Sequence, residues 1–260
     1  MILDQVWATL EALGAYSTPL GLATIALFLV GAALEHYGNG YARATVTAGW
    51  VLFGAFWFTL IHHFVFVQLS VVEGLGAILA VPLSLYLAAL LWRGRDSLFV
   101  LSRAVAVMGI TYFAVLSVPA VETFLIEVVT RHTGLAMNLI GYDPNVLTAT
   151  QVTLPDGSTL DIAAKDKRIR NTLVFDTTGV PHMDDPLLTY TIITACTGIG
   201  SMAIFIGLIL AVRAPYERKL RALAVSIPVI YLLNIVRNVF IGITFGNQMT
   251  HFFPDVVMSL

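Results

Sequence analysis

Apolar residues in this chain fall in long blocks separated by short polar turns. Blocks of roughly 20 apolar residues, the length of a bilayer-crossing helix, occupy 19–34, 45–69, 75–92 and 104–126. A fifth block begins at Leu188 (LTYTIITACTGIGSMAIFIGLILAV) and a sixth at Ala222 (ALAVSIPVIYLLNIVRNVFIGITF), joined by the basic loop RAPYERKLR. The pattern predicts six transmembrane helices. Ahead of them, apolar positions 2, 3, 6, 7, 10 and 13 predict a short helix lying at the membrane interface. That start lacks a positive n-region and carries Asp4 and Glu11, so it does not read as a cleavable signal peptide.

Between the fourth and fifth blocks lies a long loop, 127–187. The stretch AVETFLIEVVTRHTGLAMNL puts Glu122, Thr123, Glu127, Thr130 and Arg131 on one helical face, as a continuation of the fourth span or an interfacial helix. VTLPDGSTLDI alternates Val152/Leu154 and Leu160/Ile162 around a Pro-Asp-Gly turn, which predicts a β-hairpin. NTLVF, 171–175, would add a third strand to a small sheet at the membrane surface. The chain thus divides into an N-terminal four-helix membrane region (1–126), an extracytoplasmic loop with a hairpin (127–187), and a membrane helix pair with a C-terminal tail (188–260).

Composition agrees. The 260 residues are 58% hydrophobic and 12% charged, against about 25% charged in soluble proteins. The fold class is an all-α polytopic membrane protein with a small β-containing insertion. A net charge of −2 and the absence of a basic tail give no sign of a nucleic-acid partner. One cysteine rules out an internal disulfide and a multi-cysteine metal site. Basic residues mark the turns after spans one (Arg43), three (Arg93, Arg95, Arg103) and five (Arg213, Arg218, Lys219, Arg221), while the turn between spans two and three holds only Glu73. By the positive-inside rule these basic turns are cytoplasmic, and the N-terminus and the 127–187 loop lie outside.

Two side chains stand out against the apolar background. Cys196, at 1.5 Å per helical residue, would lie about 12 Å below the outer surface, and Arg237 about 10 Å below the same surface. A lone cysteine among apolar residues is ordinarily an inert small hydrophobe. Here Thr194, Thr197, Gly198, Gly200 and Ser201 form a small polar patch around it; if the regular helix begins there, free N–H groups favour a thiolate. Small residues in this place also serve close helix packing. An intramembrane arginine faces a partner or a wet cavity. Tyr231, Asn234 and Asn238 give Arg237 a polar stripe. Beside Cys196 its permanent charge would favour the thiolate or stabilise an oxyanion. Candidate bases are His62 and His63, at the outer end of span two, and His251 after span six; His132 and His182 read as loop residues and His36 as cytoplasmic. Metal-hydrolase HExxH and serine-hydrolase G-x-S-x-G patterns are absent.

TACTGIGS with Cys196 and NIVRN with Arg237, on consecutive outward-facing spans, resemble the exosortase/archaeosortase family. The resemblance implies a membrane cysteine transpeptidase, sortase-like in chemistry but not in fold, with Cys196 as nucleophile and Arg237 as catalytic arginine and no cofactor. Its partners would be membrane-anchored surface proteins bearing a C-terminal sorting signal: a short motif (Pro-Gly-Phe in the archaeal branch, with S-layer glycoproteins among the clients), one transmembrane helix and a basic end. A membrane lipid would accept the new C-terminus, in the cell membrane near its extracytoplasmic face. The family has a third catalytic residue, His or Arg, in a later membrane segment. This sequence stops at Leu260 first, which implies a shortened form that binds substrate and turns over poorly, or a substitute in His251, His62 or His63. Two other readings stand beside this one. In the first, water resolves the thioester and the chain is an intramembrane cysteine protease. In the second, a transporter or cofactor-binding protein uses Arg237 on a solute path and His62/His63 as ligands.

Overall fold

The computed structural model describes residues 12–68, 71–141, 145–147, 151–153, 159–161, 172–176 and 187–246. Most of the expected N-terminal interfacial helix, and His182 and His251, lie outside these described residues. In chain order the helices are α1 (Ser17–His36), α2 (Ala42–His62, continued by a π turn over His63–Val67), α3 (Val71–Trp92) and α4 (Phe99–Leu116, entered through a 3-10 turn at Asp96–Leu98). They continue with α5 (Pro119–Leu139), α6 (Ile199–Ala211) and α7 (Tyr216–Gly246). Among the described residues, α1, α2, α3, α4 and α7 are long and apolar enough to cross a membrane.

Three of the six expected spans are corrected. The fourth does not run on to residue 126: Val118 turns extended and Pro119 takes the first position of a new helix, where its missing N–H costs nothing. That helix, α5, buries Ile126, Val129, Thr130, Thr133 and Met137 at helical spacing. Thr130, expected on a polar face, is therefore inside, its hydroxyl donating back to the Ile126 carbonyl at 2.7 Å. The fifth expected span is a strand, a turn and then the 13-residue helix α6. The sixth starts earlier than expected, so Arg218, Lys219 and Arg221 sit on the first turns of α7 rather than in a loop.

The structure divides into two compact units. One combines the chain up to Tyr112 with Ala203–Leu223. Its core is Phe28, Val46, Trp50, Ala88, Leu91 and Phe99, and the Trp50 indole N–H donates to Ser102 at 2.8 Å. The arginine-bearing turns meet at one end of this unit. Arg43 pairs with Asp96 at 3.0 Å, and Glu35 receives both Arg103 and Arg213 at 2.9 Å. Within this unit α6 lies on α4 at Gly207, where a Cβ would come 2.4 Å from the Ala104 carbonyl oxygen.

The other unit comprises Phe113–Met202 and, of the described residues that follow, those from Ala224 to Gly246. Among the described residues it holds α5, the C-terminal part of α7 and five short strands: β1 (Asn145–Leu147), β2 (Gln151–Thr153), β3 (Thr159–Asp161), β4 (Thr172–Asp176) and β5 (Leu187–Thr191). β2 and β3 form the expected hairpin, Val152 opposite Leu160. The expected third strand exists as β4 but joins a different sheet, in the order β1-β4-β5, all antiparallel. Tyr190 lies opposite Leu173 and Thr191 opposite Thr172. The core of this unit is Ile126, Val129, Ile192 and Ile235, with Tyr190, Cys196 and Tyr231 packed against it.

Gly207 yields a prediction. A methyl there meets rigid backbone, so Gly207→Ala should destabilise the protein by about 1–3 kcal/mol, read as a fall in the thermal unfolding midpoint in detergent. Gly200→Ala, where a Cβ meets nothing within 4 Å, should leave the midpoint close to wild type.

Candidate active site

Strand β5 delivers the chain to the site. After it, Ile192 is fully buried, Ile193 is extended, and a 3-10 turn over Thr194–Thr197 carries Cys196. The Cys196 N–H closes that turn on the Ile193 carbonyl at 2.8 Å. Gly198 then adopts φ +75°, the left-handed conformation natural to glycine, and α6 starts at Ile199. Cys196 thus lies just ahead of a helix N-terminus, where backbone N–H groups lack intrahelical partners and negative charge is favoured. The residue is half-buried.

Helix α7 fixes the turn from the other side. The side-chain amides of Asn234 and Asn238 both donate to the Cys196 carbonyl oxygen, at 2.7 and 2.8 Å. Both asparagines are buried, so each bond is shielded from water and its loss leaves a buried group unpaired. Gly198 makes the approach possible: a Cβ there would stand 2.9 Å from Asn234 Cγ. The turn is also held by the Thr197 hydroxyl, which donates to the Thr194 carbonyl at 2.6 Å. The Thr194 hydroxyl donates to the Glu122 carboxylate on α5. Half-buried Arg237 lies on α7 between the two asparagines.

The phenol of Tyr190 joins the two candidate residues. It is close enough to the Cys196 thiol to interact through charge and hydrogen bonding, and it also feels the Arg237 charge. Burial, followed by the thiol, pushes the phenol well above the ordinary tyrosine range, with Arg237 opposing. Tyr190 therefore stays an O–H donor beside the sulfur. Cys196 and Arg237 both act on the Tyr190 phenol; Cys196 stands in the 3-10 turn ahead of α6 rather than within a long helix, and the asparagine clamp sets its position.

The histidines sort differently from expectation. His62 and His63 belong to the other unit, at the π turn, and line a recess with Gly14, Ser17, Thr59, Leu60 and Val67. His36, at the last turn of α1, meets Tyr37 edge-on. His132, expected in a loop, is on α5 and hydrogen-bonds through Nδ1 to the Tyr231 hydroxyl at 2.6 Å. Sequence reasoning missed Tyr190, Glu122 and His132; only the alternation in LLTYT hinted that Tyr190 belongs to a strand. Among the described residues, no three His, Cys, Asp or Glu side chains gather as a metal site would need.

Fold and site together define a polytopic, all-α membrane protein whose cysteine is held in a turn by an adjoining helix. The family model described as transmembrane exosortase (Exosortase_EpsH) matches residues 7–260. Archaeosortase A of Haloferax volcanii is 40% identical over 257 residues, 95% of this chain and 78% of that protein. Archaeosortase A of Natronomonas pharaonis is 39% identical over 235 residues, 90% of this chain and 68% of that protein. No solved structure matches the chain. The chain belongs to the exosortase/archaeosortase family of membrane-embedded processing enzymes.

Tyr190 supports a direct test, because Cys196 is the only cysteine and alkylation reports on it alone. Removing one donor worth about 0.5–1.5 kcal/mol should slow iodoacetamide alkylation roughly 2- to 10-fold in Tyr190→Phe. The difference should shrink as the pH rises beyond the ordinary thiol range, where a thiol is deprotonated with or without a donor beside it. Equal rates near neutral pH would contradict the assignment.

Proposed function

We propose that this chain is a cysteine transpeptidase that cuts the C-terminal sorting signal from membrane-anchored surface proteins and passes the new C-terminus to a membrane-lipid nucleophile. The observation that carries this reading is the clamp on Cys196. A solitary thiol ahead of a helix N-terminus, its residue's carbonyl held by two buried asparagines on the stretch of α7 that also carries Arg237, is a built position rather than a filler cysteine. The likeness to two archaeosortase A proteins supports it.

In this mechanism the Cys196 sulfur attacks the scissile carbonyl carbon, forming a C–S bond and a tetrahedral oxyanion. Arg237, charged at any working pH, stabilises that oxyanion rather than giving up a proton. The C–N bond breaks and the amine of the hydrophobic tail leaves with a proton, so the client is held as a thioester. An amine or hydroxyl of a lipid headgroup attacks the thioester, the C–S bond breaks and the thiolate returns. The clients are proteins with a Pro-Gly-Phe motif, one membrane helix and a basic end, S-layer glycoproteins among them. The arginine-bearing turns of Arg43, Arg103 and Arg213 face the cytoplasm, and the reaction runs near the extracytoplasmic face of the cell membrane.

Trapping tests the proposal. The full chain in detergent micelles, given a synthetic client tail, should show by mass spectrometry an acyl adduct on the peptide containing Cys196. Cys196→Ser should form no adduct and lose at least roughly 1,000-fold in cleavage. Arg237→Ala should still bind the tail but turn over about 100- to 1,000-fold more slowly. Cleavage at full rate by Cys196→Ser would overturn the mechanism. A product ending in a free carboxyl despite available lipid would replace transpeptidation with hydrolysis.

A further inference from the structure

Turning an amide into a thioester needs a proton for the departing nitrogen, and turning the thioester into a new amide needs a base for the incoming one. The described residues around Cys196 do not supply that exchange. Arg237 keeps its proton in any protein setting, the asparagines do not titrate, the buried Tyr190 phenol is held protonated, and the Glu122 carboxylate is engaged by Thr194.

Among the described residues of the same unit, one hydrogen-bonded pair can exchange a proton. His132 Nδ1 and the Tyr231 hydroxyl are 2.6 Å apart, linking α5 to α7, with the rings edge-to-face at 5.9 Å and 86°. Tyr231 precedes Asn234 by one helical turn, so the two project from one face of α7, and Asn234 ends on the Cys196 carbonyl. Tyr231 packs against the same apolar cluster as Cys196. It is half-buried, whereas His132 is exposed on a helix that is not among the spanning ones. The pair therefore joins an exposed imidazole to the apolar cluster on which Cys196 packs.

We propose that the Tyr231 hydroxyl carries the proton of this reaction and that His132 reloads it. The inference rests on the thioester reading above. As the C–N bond breaks, the nitrogen takes the Tyr231 proton while the imidazolium of His132 gives its own to the phenolate. In the second half the acceptor attacks the thioester carbonyl, its proton passes to Tyr231 and on to His132, and the C–S bond breaks to restore the thiolate. One proton leaves with the tail amine and one returns with the acceptor. Tyr231 is the catalytic residue of the pair and His132 its positioning and supplying partner.

The test compares leaving groups. The full chain in detergent micelles is given a synthetic tail with a Pro-Gly-Phe motif, an apolar helix and a basic end, and the same tail with an ester replacing the scissile amide. An ester departs with little need of a proton donor, so Tyr231→Phe and His132→Gln should each slow acylation by the amide about 100-fold and by the ester less than about 3-fold. The double variant should be no slower than either single one, because the two act as a unit. Equal losses on both substrates would mark a structural role and overturn the proposal, as would full activity on the amide. Cys196→Ser is run on the ester alongside: if it still processes the ester, the thioester reading falls, not merely the relay.

Discussion

Two side-chain amides ending on one carbonyl oxygen hold this site together. The Cys196 carbonyl leaves a 3-10 turn and is followed by a left-handed glycine, so it has no successor turn to bond. Buried without a partner it would cost on the order of 1–3 kcal/mol. Asn234 and Asn238 supply two partners, so the position of the sulfur is dictated by α7 and not by the helix it precedes. Arg237 sits on the same stretch of α7. Glu122, bonded to Thr194, ties the turn to α5 as well. Three elements distant in sequence thus agree on the placement of one thiol.

The local sequence makes that agreement possible. Gly198 supplies the positive φ that turns the chain into α6, and its missing Cβ is the space that Asn234 occupies. Pro119 ends the run of α4 and starts α5 afresh, giving Glu122 and His132 a helix of their own. In the other unit, Glu35 collects Arg103 and Arg213. Arg213 is 78% exposed, so that pair adds little stability; the half-buried Arg103 is the partner that matters.

Much of this was legible in residue patterning. Apolar blocks and scarce charge identified a polytopic helical membrane protein, and Cys196, Arg237 and the Asn234/Asn238 stripe were visible as polar exceptions in apolar surroundings. The strand at Leu187–Thr191 was not, because a short apolar run reads equally as helix or strand until its partner is known; pairing with β4 decides it. The break at Pro119 was not read, because apolar residues on both sides continue the block. His132 gave no signal, since its partner Tyr231 lies 99 residues further on, and only tertiary packing brings α5 to α7. The hydrogen-bond partners of the Cys196 carbonyl were hidden for the same reason.

Because the chain holds a single cysteine, growth on carbonyl-13C cysteine labels one backbone carbonyl, and isotope-edited infrared spectroscopy can watch it alone. Two hydrogen bonds from α7 predict an amide I band at unusually low frequency in the intact protein. The band should move upward in Asn234→Ala and in Asn238→Ala, and further when both are changed. A labelled band that stays put when both asparagines are removed would show that α7 does not hold the cysteine, and would contradict the account at its base.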